Sequence, residues 1–238
     1  MSAALSPLKL LGLIGGISWE STTHYYQLLN RIARERLGGK HSARVLLWSV
    51  DFAPVAELQE ASEWRALTAM MIDAAKRLEG AGAEALVICA NTMHLMADDV
   101  QAAIRIPLVH IADATAAVLR SENVRRPLLL ATRFTMEQPF YRERLARNGI
   151  EAIVPKEADR AELHRIIFEE LVQGQFLDSS RAKLIDVVRR EQAGGADGVI
   201  LGCTEFGMLA PPAVFDLPAV DTAEAHAAAA MAFALGRA

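Results

Sequence analysis

The sequence predicts an α/β fold of two pseudo-symmetric lobes, each a parallel sheet flanked by helices, with an active site in the cleft between them. A short aliphatic run that ends in small polar residues occurs twice, at 82–92 (GAEALVICANT) and at 195–205 (GADGVILGCTE). Such runs are typical of buried parallel strands. Four features recur in the same order at offsets of 111 to 117 residues, which indicates an internal repeat. Ligands bind beyond the carboxyl ends of strands in open α/β sheets, so two facing strand ends would enclose a small molecule.

The first half begins with an apolar strand and a long helix that ends at Gly38, because glycine favours helix termini. The run ARVLLWSVDF predicts the second strand, and apolar residues at helical spacing after it predict a covering helix. The predicted elements are strands at 9–15, 43–52, within 82–92 and at 106–111, and helices at 19–37, 63–79, 93–103 and 113–119.

The second half repeats this order. Its predicted elements are strands at 127–131, 150–155, within 195–205 and at 217–221, helices at 160–173 and 179–193, and a final alanine-rich helix. In this alignment Ser18 corresponds to Thr135, and His110 corresponds to Asp221. We therefore divide the chain into a first lobe of residues 1–113 plus 221–238 and a second lobe of residues 114–220.

Composition excludes several classes of protein. The net charge is −4, from 25 basic and 29 acidic residues, so a strongly basic surface for nucleic acid is excluded. No apolar run approaches the roughly 20 residues of a membrane span, and the first 16 residues lack the charged segment of a signal peptide. Two cysteines are too few for a disulfide framework and predict a cytoplasmic protein. The six histidines lack metal-ligand spacing, so we expect no metal site.

Cys203 is the candidate catalytic residue. It lies where a predicted strand gives way to a turn and a helix N-terminus, a position that lowers the pKa of a thiol. A free cysteine is often only a small buried apolar residue. The polar neighbours Thr204 and Glu205 favour a functional role for Cys203, whereas the alternation of the strand points Cys89 into the core.

The end of the matching strand in the first half carries Asn91 and Thr92, and Thr204 offers a hydroxyl from the facing half. Hydrogen-bond donors that converge from two lobes suit a carboxylate or the enolate formed from it. The alternative interpretation is that these residues cap the helices that follow. His94 is as well explained by a capping role as by a catalytic one.

Seven segments together resemble the aspartate/glutamate racemase family, in particular its broad-specificity amino-acid racemases. They are LGLIGGISWEST (11–22), SARVLLWSVDF (42–52), NTMH (91–94), LVHIADAT (108–115), TRFTMEQ (132–138), IIFEEL (166–171) and LGCTE (201–205). The resemblance implies two α/β lobes, with the final helix returning to pack on the first. It also implies a homodimer and epimerisation at the α-carbon of an amino acid without a cofactor.

In that family two acid/base residues, one from each lobe, flank the substrate, because inversion of a stereocentre requires groups on both faces. The resemblance assigns one of these roles to Cys203. The paired position, where the family has cysteine or threonine, is Ala90, and a methyl group transfers no protons. The resemblance also places Ser18 and Gln59 in the substrate pocket, and Thr132 is a further candidate substrate-binding residue.

Two further positions bear on the substrate. Position 95 is leucine, where a lysine is common in this branch of the family. A basic group near 160–165 is expected to bind a side-chain carboxylate, and Arg160 and Arg165 are available there, although Glu162 lies between them.

Three functions remain open from the sequence. The first is an amino-acid racemase whose second base is not at position 90, with water, Thr92 or a repositioned group in its place, or whose activity is weak or one-sided. The second is an enzyme with a single proton donor, such as a decarboxylase. The third is an amino-acid-binding protein that has lost the chemistry.

Overall fold

Two parallel sheets organise the chain in the computed structural model, which describes residues 8–236. The strands are β1 (Leu11–Gly15), β2 (Val45–Ser49), β3 (Ala85–Ile88), β4 (Leu108–Val109), β5 (Pro127–Leu130), β6 (Gly198–Leu201) and β7 (Ala219–Asp221). The first sheet has the order β2-β1-β3-β4 and the second the order β5-β6-β7, with all pairs parallel. The predicted fold class of two α/β lobes is confirmed.

Helices cover these sheets. They are α1 (Trp19–Leu37), α2 (Phe52–Glu60), α3 (Trp64–Gly80), α4 (Ala97–Ala103), α5 (Ile111–Ser121), α6 (Arg133–Glu137), α7 (Pro139–Arg147), α8 (Glu157–Glu169), α9 (Asp178–Ala193), α10 (Thr204–Leu209) and α11 (Thr222–Ala234). Short 3-10 turns occur at Thr92–Met96, Leu171–Gln173 and Pro212–Val214. Within residues 8–236, no helix has the length and apolar composition needed to cross a bilayer.

Three predicted strands differ most from the structure. The strand predicted over 106–111 is only Leu108–Val109, because the His110 side chain accepts a hydrogen bond from the Ala112 N–H and caps α5. The strand predicted over 43–52 ends at Ser49, because the Asp51 side chain accepts a hydrogen bond from the Ala53 N–H at 3.3 Å and begins α2. The strand predicted over 150–155 is a single bridge between Ile153 and Leu128. Pro155 has no N–H to extend that ladder.

The two sheets nevertheless correspond strand for strand. Ile153 lies beside β5 as β2 lies beside β1, and it exchanges backbone hydrogen bonds with Pro127 and Leu129 at 2.9 and 2.8 Å. One predicted equivalence between the two halves is wrong, as the turns after β1 and β5 show. Ser18 caps α1 and Thr132 caps α6, so the structural counterpart of Ser18 is Thr132 rather than Thr135.

The last helix closes the chain on the first sheet. Ala227 and Met231 of α11 are fully buried against Leu11 and Tyr25 in one apolar cluster, and α11 also packs on α5. The division into 1–113 plus 221–238 and 114–220 stays a prediction, and its boundary after residue 113 falls inside α5. Residues 1–7 and 237–238 lie outside the described residues. They include part of the segment considered as a signal peptide and the two ends of the predicted first lobe.

Candidate active site

A cavity with about 440 Å³ of empty space lies between the carboxyl ends of β1 and β3 and those of β5 and β6. Part of that space is open to solvent, and the volume of the cavity itself is about 50 Å³. The structure brings all eight predicted site residues to its wall: Ser18, Gln59, Ala90, Asn91, Thr92, Thr132, Cys203 and Thr204. Each of these roles remains a prediction, but their convergence on one cavity follows from the topology.

The turn after β1 places Ser18 at this cavity. Gly16 has a φ of +86°, and a Cβ there would lie 2.1 Å from the Val50 carbonyl oxygen, so a side chain is excluded on two grounds. The chain then reaches Ser18, whose Oγ accepts a hydrogen bond from the Ser21 N–H at 3.3 Å at the start of α1. The first turn of a long helix therefore holds this hydroxyl in place.

Glu205 is the centre of a buried polar group that sequence reasoning did not assign to the site. Its side chain accepts hydrogen bonds from the Ser18 hydroxyl at 2.5 Å, from the Cys203 thiol at 3.0 Å and from the Thr204 hydroxyl at 2.7 Å. The residue is only 3% exposed and lines the same cavity. Its position beside Cys203 and Thr204 in the strand end was the available signal.

The pKa of the Cys203 thiol is raised well above its ordinary value, which corrects the expectation of a thiol activated by a helix N-terminus. Burial is the largest cause, followed by the negative charge of Glu205 and the hydrogen bond to it. The backbone N–H groups of Glu205 and Phe206 act in the opposite direction, but they are the smaller effect. Cys203 therefore rests as a thiol that donates its proton towards Glu205.

In the Asn91 side chain, the carbonyl oxygen rather than the amide N–H lacks a hydrogen-bond partner among the described residues. The Thr222 hydroxyl donates to the Leu201 carbonyl oxygen at 2.9 Å, so its oxygen is free to accept. Asn91 Nδ2 donates to that oxygen at 2.9 Å, which fixes the orientation of the amide. Asn91 Oδ1 is then buried without a hydrogen-bond partner among the described residues, at the wall of the cavity. A buried unpaired acceptor is costly, and a water or a ligand that donates to it would remove that cost.

Three hydroxyls from the two halves meet on another side of the cavity. Thr92 Oγ1 lies 2.9 Å from Thr132 Oγ1 and 3.1 Å from Thr135 Oγ1, and the last two are 3.2 Å apart. Thr92 and Thr132 both line the cavity. With the Ser18 to Glu205 hydrogen bond, these contacts join the ends of β1 and β3 to the ends of β5 and β6.

The rest of the wall is largely apolar and comes from α2, α8 and the turn after α8, and of its residues the resemblance named only Gln59. Phe52 and Gln59 come from α2, where the sequence predicted only the end of a strand. Ile167, Phe168 and Val172 come from α8 and the 3-10 turn after it. Gln59 is 2% exposed, and its amide nitrogen lies 3.2 Å from the sulfur of Met93.

Several residues considered from the sequence lie away from the cavity. His94 accepts a hydrogen bond from the Ile111 N–H at Nε2, so Nδ1 carries the proton and donates to the Ala90 carbonyl oxygen at 2.9 Å. Burial lowers the pKa of His94 well below its ordinary value, as expected for a neutral structural histidine. Cys89 is buried in the apolar cluster beneath α1, and burial raises its pKa. Leu95 does not line this cavity.

The two arginines expected to bind a side-chain carboxylate are both used elsewhere. Arg160 pairs with Glu137 at 3.0 Å and donates to the Pro155 carbonyl oxygen at 2.8 Å. Arg165 pairs with three carboxylates, those of Glu162, Glu169 and Glu170. Neither arginine lines the cavity, so that expectation is wrong.

The family model for Asp/Glu/hydantoin racemases matches residues 14–230, which spans both lobes and every residue of the site. The chain belongs to this family. Curated relatives in this family include proteins named as amino-acid racemases, which are isomerases. The polar cavity between its two strand ends is therefore the candidate active site of a racemase-family protein.

Solved structures of relatives support this placement. A Yersinia pestis protein provisionally named as an Asp/Glu racemase is 45% identical to this chain. Its structure matches with a TM-score of 0.88 over 96% of this chain and 100% of the Yersinia chain. An aspartate racemase homologue of Pyrococcus horikoshii is 36% identical, with a TM-score of 0.82 over 95% of this chain and 99% of its own.

A curated relative is more distant. The broad-specificity amino-acid racemase RacX of Bacillus subtilis is 24% identical over 152 residues, which cover 64% of this chain and 65% of RacX. This match spans less than two thirds of that relative.

Proposed function

We propose that the protein is an amino-acid racemase that needs no cofactor and moves the α-proton of its substrate through Cys203. The observation that carries the proposal is the hydrogen bond from the Cys203 thiol to the buried carboxylate of Glu205 at the wall of the cavity. A thiol beside a proton acceptor is the arrangement required to form a nucleophilic or basic thiolate.

The substrate's charged groups have complementary partners in the cavity. An α-ammonium carries three donors, and Asn91 Oδ1 is a buried acceptor without a partner in the described chain. The hydroxyls of Thr92 and Thr132 line the same space and suit the carboxylate, whereas the Thr204 hydroxyl already donates to Glu205. Donors held in place there would stabilise the enolate that forms when the α-proton leaves.

The proton transfer then has two parts. The Cys203 proton passes to Glu205, which leaves a thiolate and a carboxylic acid. The thiolate removes the α-proton, the C–H bond pair stays on the substrate as the enolate, and the thiol is restored. Reversal of the second part returns a proton to the same face, so one thiol alone gives exchange with retention.

Ala90 determines what the second face can do. It lies at the end of β3, where the family resemblance places the paired acid/base residue, and its methyl group cannot carry a proton. A proton on that face has to come from water or from a neighbouring hydroxyl such as that of Thr92. We therefore expect α-proton exchange to be faster than inversion.

The same single thiol would also suit a decarboxylase that delivers one proton to an enolate, and Ala90 is the observation that favours this second candidate. The two functions differ in the bond that breaks. A racemase breaks a C–H bond and releases no carbon dioxide, whereas a decarboxylase breaks a C–C bond and releases it.

One experiment separates these functions. The protein is incubated in D2O with each enantiomer of aspartate, glutamate, leucine and phenylalanine, and α-deuteration and chirality are followed separately. Deuteration of one enantiomer, with inversion slower than exchange, is the expected result. No deuteration of any of these amino acids, together with carbon dioxide release from a substituted malonate, would favour the decarboxylase. Saturable binding with neither reaction would mean a binding protein.

We further propose a cytoplasmic homodimer. Leu47 and Trp48, on the edge strand β2, are 50% and 38% exposed, which is unusual for large apolar side chains on a sheet edge. Sedimentation velocity measures the oligomeric state, and Leu47→Lys is expected to shift it towards the monomer. A wild-type monomer at micromolar concentration would contradict the proposal.

A further inference from the structure

We propose that the substrate of this site is an α-amino acid with a neutral, apolar side chain rather than an acidic one. The inference rests on the proposed function, because it assigns the part of the cavity that the reacting centre does not use. It is carried by the apolar wall and by the distribution of charge around the cavity.

The apolar wall is formed by both halves of the molecule. Phe52 at the start of α2 and Phe168 near the end of α8 have stacked rings, with centroids 6.3 Å apart and an angle of 27° between the planes. Ile167 and Val172 extend this surface along the same side. A hydrocarbon side chain placed against this wall is removed from water without leaving a polar group unpaired.

The charge around the cavity is of one sign. Among the lining residues that the structure describes, none is lysine, arginine or histidine, and the one carboxylate is that of Glu205. A substrate such as aspartate would bring a second carboxylate into this enclosed space. That group would meet apolar side chains or the like charge of Glu205, and either contact is unfavourable.

The arginine side chains closest in sequence to the cavity residues already make contacts with other side chains. Arg160 and Arg165 are held by the carboxylates described above. Arg133, next to Thr132 in the chain, stacks on the ring of Phe134 with 5.7 Å between Cζ and the ring centroid. Recruitment of any of them to an acidic substrate would break existing contacts.

The first arm of the test measures preference. Initial rates of α-deuteration and dissociation constants from calorimetry are compared for leucine, phenylalanine, aspartate and glutamate in the wild-type protein. We expect the two apolar amino acids to exceed the two acidic ones at least about tenfold in both measurements, in line with the selectivity that apolar pockets reach. Equal or stronger binding of aspartate or glutamate would overturn the inference.

The two measurements keep this inference separate from the proposed function. Exchange with aspartate or glutamate as the better substrates would overturn the side-chain inference while leaving the α-proton chemistry standing. Absence of exchange with every amino acid would overturn the chemistry, and the binding constants would still decide the side-chain preference.

A variant tests the wall itself. Val172→Arg introduces a cation at a half-buried position of the wall, and Val172→Met is the matched control of similar length without charge. We expect the arginine variant to shift the preference at least about tenfold towards aspartate, and the methionine variant to keep the wild-type preference. An unchanged preference in a folded arginine variant would contradict the assignment of this wall to the side chain.

Discussion

The two strand ends that meet at the cavity have the same place in the fold and opposite chemistry. At the end of β3, Ala90 is inert and Asn91 offers an unpaired acceptor. At the end of β6, the Cys203 thiol donates a hydrogen bond to the neighbouring Glu205. The repeated backbone therefore determines where the two sets of side chains meet. In the proposed function, one strand end binds the substrate and the other transfers the proton.

The largest effect is expected from Cys203→Ser. A serine hydroxyl is a far weaker acid than a thiol, so the α-deuteration rate should fall about 10³-fold or more. Cys89→Ser is the matched control, because Cys89 lies in the core near the end of the other strand and does not line the cavity. Equal loss in both variants would remove Cys203 from the mechanism.

The next effect is expected from Glu205→Gln, which keeps the shape of the side chain and removes its charge. Loss of the proton acceptor should lower the exchange rate about 100-fold. Loss of the negative charge should also lower the pKa of Cys203, because that charge is one of the causes that raise it.

Alkylation by iodoacetamide as a function of pH, in a Cys89→Ala background, measures that pKa. A lower alkylation midpoint with slower exchange distinguishes a lost base from a misfolded site. A midpoint that stays at or above that of the wild type would contradict the assigned influence of Glu205 on the thiol.

Ala90→Cys makes the two strand ends chemically alike. A second thiol at the end of β3 should raise the rate of inversion about tenfold while the exchange of the first enantiomer stays similar. Ala90→Ser is the control for added size without a usable acid. The ratio of inversion to exchange, from chiral chromatography and NMR, is the measurement, and an unchanged ratio would mean that position 90 does not face the α-carbon.

The ends of β4 and β7 also differ, and here the difference concerns how the stability of the protein depends on pH. His110 caps α5 after β4, and Asp221 caps α11 after β7. Burial lowers the pKa of His110 to about 4, and it raises that of Asp221 to about 6. Burial disfavours the charged form of both groups, so the two caps give opposite dependences of stability on pH.

For His110 the unfolded chain binds a proton more readily than the folded protein. Its contribution to the free energy of unfolding is therefore complete above pH 6.5 and is lost as the pH falls towards 4. His110→Asn keeps a good helix cap, and it should reduce the loss in the free energy of unfolding between pH 7 and 4 by about 2 kcal/mol. Urea unfolding between pH 4 and 7 measures it, with His41→Asn at an exposed position as the control.

For Asp221 the folded protein binds the proton more readily, so stability is lost as the pH rises from about 4 through 6. Asp221→Asn should therefore stabilise the protein at pH 8 by about 1 kcal/mol and give no gain at pH 4. The same urea measurements at both pH values test this smallest effect. A gain of equal size at both would have a cause other than the buried charge.

Much of this arrangement was predictable from the sequence, because the repeat of aliphatic runs ending in polar residues is a strong signal for parallel strands. The runs around Ala90 and Cys203 gave the correct strands, and parallel strands bring their carboxyl ends to one edge. The convergence of Ser18, Asn91 and Thr132 follows from that rule.

What the sequence did not disclose depends on contacts between distant segments. The acidity of Cys203 is decided by burial and by Glu205, and a helix N-terminus alone suggested the opposite direction. The free oxygen of Asn91 is known only once Thr222, from the last helix, is placed beside it. The α2 helix was missed because its cap at Asp51 follows directly on an apolar strand.

The hydrogen bond from Ser18 to Glu205 has a consequence for timing. It connects the turn after β1 to the turn after β6, so any widening of the gap that admits a substrate pulls the serine hydroxyl away from the carboxylate. The same carboxylate accepts the hydrogen bond of the Cys203 thiol, so opening of the cleft and the surroundings of the sulfur change together.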